Sequence, residues 1–217
     1  KKLIFYILLI FFTLHANAQV KENLKIPKNP KIGLSLSGGG AKGFAHVGVL
    51  KVLDSLGVKV DYISGTSMGA IVGGLYASGY TGKDIEKIIL DTDFYNLISN
   101  KNNRAESSFF NKSVDKYLLK VPIKNGKATL PTSISSGQKN LYLLKELFKN
   151  VSNINDFSKL PIPFMCVATN LETGKIKIFE NGDLSESILA SSAFPSLMDP
   201  VKIGDSIYVD GAMTVNY

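Results

Sequence analysis

Ser67 stands between two glycines in Gly65-Thr66-Ser67-Met68-Gly69, the spacing that presents a serine hydroxyl as a nucleophile on a tight strand-to-helix turn. Such a hydroxyl needs a neighbouring base, most often a histidine. The chain has two histidines, His15 and His46, and both precede Ser67, whereas an ordinary α/β-hydrolase carries its acid and then its histidine after the serine. His46 falls four residues past Lys42 on the helix expected after a glycine-rich stretch. A packing role or a hydrogen bond near the helix start is expected for it. Asp210, in Tyr208-Val209-Asp210-Gly211-Ala212, is a carboxylate at an expected strand end. It can act as a base if burial raises its pKa and it lies within hydrogen-bond reach of the serine. Asp-Gly is equally a common turn dipeptide, and residue chemistry alone leaves both readings open.

A second glycine motif runs Ser37-Gly38-Gly39-Gly40-Ala41-Lys42-Gly43. Gly38-x-Gly40-x-x-Gly43 fits the dinucleotide fingerprint between a strand and a helix, with Asp61 at about the spacing of a ribose-binding acid. Asp61, however, falls near the start or middle of the second expected strand, and the carboxyl end of that strand carries the serine motif instead. Acyl transfer uses both motifs. The flanking glycines allow close helix–strand approach at the serine, and bare glycine amides on the adjacent strand can stabilise an oxyanion. The serine pentapeptide alone is a weak signal; beside a glycine-rich loop it is far more specific.

The elements that must position these residues follow from periodicity. A buried strand is expected over 31–37, a helix over 41–56 with Phe44, Val47, Leu50, Val52 and Leu53 on its apolar face, and a strand over 58–64. An apolar helix then opens at Ser67, and Thr81 is placed to cap a helix carrying Ile85, Ile88, Ile89 and Leu90. Residues 92–137 are the least legible, with strand-like pieces near 117–123 and 127–134. An amphipathic helix over 140–150 directs Leu141, Leu144 and Phe148 to the core rather than to a ligand. Strands follow over 162–171 and 175–180, then a helix over 184–194 and a hairpin around Gly204-Asp205. This order argues for an α/β fold with a mostly parallel sheet.

The chain resembles the patatin-like phospholipases over residues 31–217, on three motifs in family order: "SGGGAKG", "GTSMG" and "DGA", with "ASSAFPSLMDPV" resembling the segment before the last. The resemblance implies a three-layer α/β fold, a mostly parallel central sheet flanked by helices, and lipid acyl hydrolysis by a Ser–Asp dyad in place of a triad. It implies Ser67 as nucleophile and Asp210 as its base. It further implies Gly38, Gly39, Gly40 and the amide of Met68 as the oxyanion hole, and Gly65 and Gly69 as the frame of the nucleophile elbow. No cofactor or metal is implied, and the partner is a lipid or phospholipid at a membrane surface. Ser37 and Lys42 stand where many members carry Asp and Arg, and Asp-Gly-Ala stands for the more usual Asp-Gly-Gly. Two other functions compete with acyl hydrolysis: a dinucleotide-binding oxidoreductase on the glycine loop, and a catalytically inactive binding or passenger module.

Composition sets the outer bounds. The 217 residues suit one domain with a substantial core, and 45% hydrophobic against 20% charged residues favours a folded chain. Residues 1–18 read as a secretory signal peptide, with Lys1-Lys2, an apolar run over Leu3–Leu14 and a cleavage site at Ala16-Asn17-Ala18. Export to the periplasm, the outer membrane or the medium is therefore expected, with 19–30 as a lead-in. Processing removes His15 and lowers the formal charge from +7 to +5. That surplus is spread without a basic block, which suits an anionic membrane surface and gives no support for nucleic acid. The stop at Tyr217, just after a motif, reads as a truncation. Cys166, the single cysteine, excludes an internal disulfide and is expected in the core.

Overall fold

The computed structural model describes residues 30–99, 123–124, 127–128 and 133–216; the expected signal peptide and the strand-like piece over 117–122 lie outside them. The chain divides at Pro30, and the regular elements among the described residues lie in the unit from Lys31 to Tyr217. β1 (Gly33–Leu36) leads into a 3-10 turn over Gly40–Phe44 and then α1 (Ala45–Ser55). β2 (Tyr62–Thr66) is followed by α2 (Met68–Ala77), α3 (Gly82–Asp91) and α4 (Phe94–Ser99). Two short antiparallel pieces, β3 (Ile123–Lys124) and β4 (Lys127–Ala128), precede β5 (Ser133–Ser135) and α5 (Gln138–Leu147). Then come β6 (Phe164–Asn170), β7 (Ile176–Phe179), α6 (Leu184–Ser191), β8 (Ser196–Met198), β9 (Val201–Ile203) and β10 (Ser206–Asp210).

The main sheet is six-stranded in the order β1-β2-β6-β10-β9, with β7 also paired to β6; β1, β2, β6 and β9 run in one direction and β7 and β10 run against them. The fold is thus α/β, as the motif order predicts. α2 is apolar all round and packs on the sheet, which fits its burial of Val72, Leu75 and Ala77. Cys166 faces the same core from β6, and burial pushes its thiol pKa up.

Three sequence expectations shift. The strand expected at 58–64 forms at Tyr62–Thr66 because the stop of α1 consumes the residues before it. Gly57, at φ 65°, donates to Asp54 C=O and Val58 N–H donates to Leu53 C=O, a two-bond helix terminator. Val52, placed on the apolar face of α1, is exposed, since it lies two residues from Leu50 and so points to another side. Leu90 is likewise 78% exposed, whereas Ile85 on the same helix is buried. The Thr81 cap is present and stronger than a lone hydroxyl: Thr81 Oγ1 accepts from Asp84 N–H, and Asp84 Oδ2 accepts from Thr81 N–H at 2.9 Å. The Thr81 hydroxyl, donating to Asp84 Oδ2 at 2.6 Å, and then the Thr81 N–H hold the Asp84 carboxyl below its ordinary pKa.

Candidate active site

The register of β6 explains how two residues 143 positions apart meet. Along one edge of β6, parallel β2 pairs up to Thr66 opposite Val167. Antiparallel β10 comes from the other direction along the same edge and ends with Asp210 opposite Ala168. The opposite edge is taken by β7, which pairs over Cys166–Thr169. The carboxyl ends of β2 and β10 therefore run head to head, and the residue after Thr66 is brought against Asp210. Ser67 Oγ donates to Asp210 Oδ2 at 2.5 Å, in the range of a charge-assisted hydroxyl–carboxylate bond.

Ser67 has φ 55° and ψ −123°, a strained conformation that only the surrounding structure can hold. Gly69 makes the turn sterically possible: a Cβ there would strike the carbonyl oxygen of Leu36 and stand 2.7 Å from that of Ser37. The glycine loop presses on the serine from the other side. A Cβ on Gly38 would come within 2.9 Å of Ser67 Cβ.

Asp210 is 1% exposed and Ser67 9% exposed. Burial pushes the Asp210 carboxyl above the usual carboxylate range, opposed by the hydrogen bonds from Ser67 Oγ and Ala212 N–H. Its backbone is tied as well. Asp210 N–H donates to Ala193 C=O at 2.9 Å, and its own carbonyl accepts from Thr169 Oγ1 at 3.0 Å.

Ser67 and Asp210 open onto a cavity of about 620 Å³. Gly39, Gly40 and Met68 line it beside the serine, and the wall continues with side chains of α2, α3, α4 and α5, among them Leu75, Ile88, Leu97 and Leu147, together with Phe44, Phe194 and Leu197. Leu144, expected to be core, is core and cavity wall together. The contribution of α4 lies in the stretch with the weakest periodicity.

The remaining sequence candidates fall as follows. His46 Nε2 stands 2.9 Å from Ser37 C=O, so its ring supports the glycine loop. Asp61 Oδ2 accepts from Ile32 N–H at 2.8 Å at the entry of β2, remote from the strand's carboxyl end where a ribose ligand belongs. Gly38 N–H donates to Asn216 Oδ1 at 2.7 Å, so Asn216, which sequence reasoning did not single out, engages one of the four expected oxyanion amides. Its only sequence signal is its position six residues past Asp210. Lys42 is exposed.

Residues 34–217 match the family described as patatin-like phospholipase. The chain belongs to the patatin-like phospholipase family. Within that family it is 29% identical over 185 residues to an uncharacterized NTE family protein of Mycobacterium tuberculosis, covering 85% of this chain and 43% of the relative. It is 32% identical over 192 residues to lysophospholipase NTE1 of Debaryomyces hansenii, covering 88% of this chain and 11% of that protein. The patatin-like chain therefore spans under half the length of these relatives. Among solved structures, VipD from Legionella pneumophila shares the fold, at TM-score 0.55 and 19% identity, over 86% of this chain and 47% of that one.

Proposed function

We propose that this patatin-like domain is a lipid acyl hydrolase working through a Ser67–Asp210 dyad. The observation that carries the reading is the 2.5 Å Ser67–Asp210 hydrogen bond in the wall of an apolar cavity. Asp210 takes the hydroxyl proton as Ser67 Oγ attacks a fatty acyl ester carbonyl, then returns that proton to the departing alcohol. Water attacks the acyl-enzyme in the same way, Asp210 accepting its proton and passing it back to Ser67 Oγ. Amides of Gly39, Gly40 and Met68 face the developing oxyanion, and Gly38 joins them when Asn216 releases it. Met68 opens α2, so its N–H has no partner within the helix and the positive helix end lies at the reacting carbon. These steps call on no metal or nucleotide. The substrate is a lipid or phospholipid met at a membrane surface, which supplies the acyl chain for the cavity.

A fluorophosphonate probe should label the protein at Ser67, located by mass spectrometry, while the unlabelled protein hydrolyses a fatty acyl ester. Labelling at another residue, or none, would sink the dyad and favour the passenger-module alternative. The cavity adds a second expectation. Each methylene buried there contributes about 0.8 kcal/mol, so kcat/KM should climb by up to about four-fold per methylene along an acyl series until the cavity is filled. A flat series measured with p-nitrophenyl esters would mean that the acyl chain lies elsewhere.

A further inference from the structure

The catalytic turn departs from a parallel ladder, and one buried side chain stands at the departure. The β2–β6 ladder begins with Ile63 N–H to Pro163 C=O and advances two residues on each strand. Its next-but-one rung would join Ser67 N–H to Val167 C=O. That rung is opened by a hydroxyl. Ser67 N–H donates to Ser191 Oγ at 3.0 Å, and Ser191 Oγ donates to Val167 C=O at 2.6 Å. Ser191 is 0% exposed, closes α6, and has both hydrogen-bonding roles of its hydroxyl filled by these two groups.

We infer that Ser191 is a positioning residue for the nucleophile, resting on the dyad reading above. Its hydroxyl wedges the end of β2 away from β6 by the width of one oxygen while satisfying both backbone groups that the wedge separates. This lets Ser67 adopt its positive φ without leaving a buried N–H orphaned, a loss that would otherwise remove the benefit of the turn. The same end of α6 also fixes the second partner, since Ala193 C=O receives Asp210 N–H two residues later. One short segment, Ser191–Ala193, thus holds the backbones of both Ser67 and Asp210, and the 2.5 Å bond between their side chains depends on that common support. Without the hydroxyl, the ladder rung can close directly and draw Ser67 Oγ off the line to Asp210.

The test compares Ser191→Ala and Ser191→Thr with wild type in two assays: phosphonylation rate by a fluorophosphonate, which reads the nucleophile alone, and steady-state ester hydrolysis. Displacement of a reacting atom by about 1 Å costs about 100-fold. Ser191→Ala should therefore slow phosphonylation and kcat by about that factor with KM unchanged, because the cavity is intact. Ser191→Thr, which restores a hydroxyl, should recover most of the loss. An alanine variant with wild-type rates overturns the inference, as does one in which KM rises while kcat holds. Should the alanine variant not fold, Ser191→Cys keeps the volume with a weaker hydrogen-bonding group: slowed phosphonylation supports the role, and a wild-type rate overturns it. A wild-type protein that is phosphonylated at Ser67 yet hydrolyses no lipid ester refutes the acyl-hydrolase reading alone, and the phosphonylation series still decides the role of Ser191.

Discussion

Ser67→Ala and Asp210→Asn are each expected to lower ester turnover by about ten-thousand-fold or more, the scale seen when a nucleophile or the partner that manages its proton is removed. The double variant should be little worse than either single one, because the two side chains act as a unit. Steady-state rates of the three proteins on one ester would check this, and an Asp210→Asn protein within ten-fold of wild type would remove Asp210 as the base.

The two single variants should part company in stability. Burial raises the Asp210 pKa in the folded protein above its unfolded value. Between those two values the native state holds a proton that the unfolded state has released, so stability falls as pH rises through that window. Above the ordinary carboxylate pKa the buried carboxyl therefore costs stability, and neutral asparagine removes the cost. Asp210→Asn should melt above wild type at neutral pH, and the gap should close in acid, below the ordinary carboxylate pKa. Turnover in wild type follows the opposite course. A base must be ionised, so kcat should fall on acidification through the raised pKa, with its acidic limb above the usual carboxylate range. A limb at the ordinary aspartate value would contradict a buried carboxylate base.

The second large effect is expected at Gly69. Alanine there would drive a Cβ into the backbone carbonyls of Leu36 and Ser37, which belong to the sheet edge and cannot rotate away like a side chain. Overpacking of this kind costs about 3 kcal/mol, about 6–12 °C in melting temperature for a domain of this size. Because Leu36 and Ser37 lead into Gly38–Gly40, the same push displaces the glycine loop, and turnover should collapse even where the protein remains folded. Gly48→Ala on α1 is the matched control. Apart from its chain neighbours and its own helix backbone, nothing lies within 4 Å of its added Cβ, and a mid-helix glycine replaced by alanine should gain about 0.5–1 kcal/mol. Thermal melts of the two variants side by side would separate backbone crowding from a general intolerance of alanine.

What is readable in the sequence is local. Alternation and helical spacing locate β1, α2, α3, α5, β6 and α6 within a few residues, because each buries a face whose period is written in consecutive side chains. Thr81 is readable as a cap, since capping involves only a few adjacent residues. Elements whose partners are distant are harder. β8, over Ser196–Met198, exists by parallel pairing with β5 some sixty residues earlier, and its own residues carry no alternation. β2 is expected four residues too early because the termination bonds of α1 at Gly57 and Val58 compete with strand residues for the same chain. The polar run after α3 hides α4, whose Phe94 and Leu97 form part of the cavity wall.

The residue types of the site, a serine between glycines, a glycine-rich loop and an Asp-Gly step, are determined by the sequence itself, together with the absence of a histidine after Ser67. It could not determine that Ser67 meets Asp210. That contact arises because β2 and β10 run head to head along one edge of β6, and strand register is set by pairing across 143 residues rather than by any local period. The same limit hides Asn216 at Gly38 and Ser191 at the opened rung. Ser191 reads in sequence as one more small residue on a helix, and only the tertiary fold gives its hydroxyl two backbone groups to join.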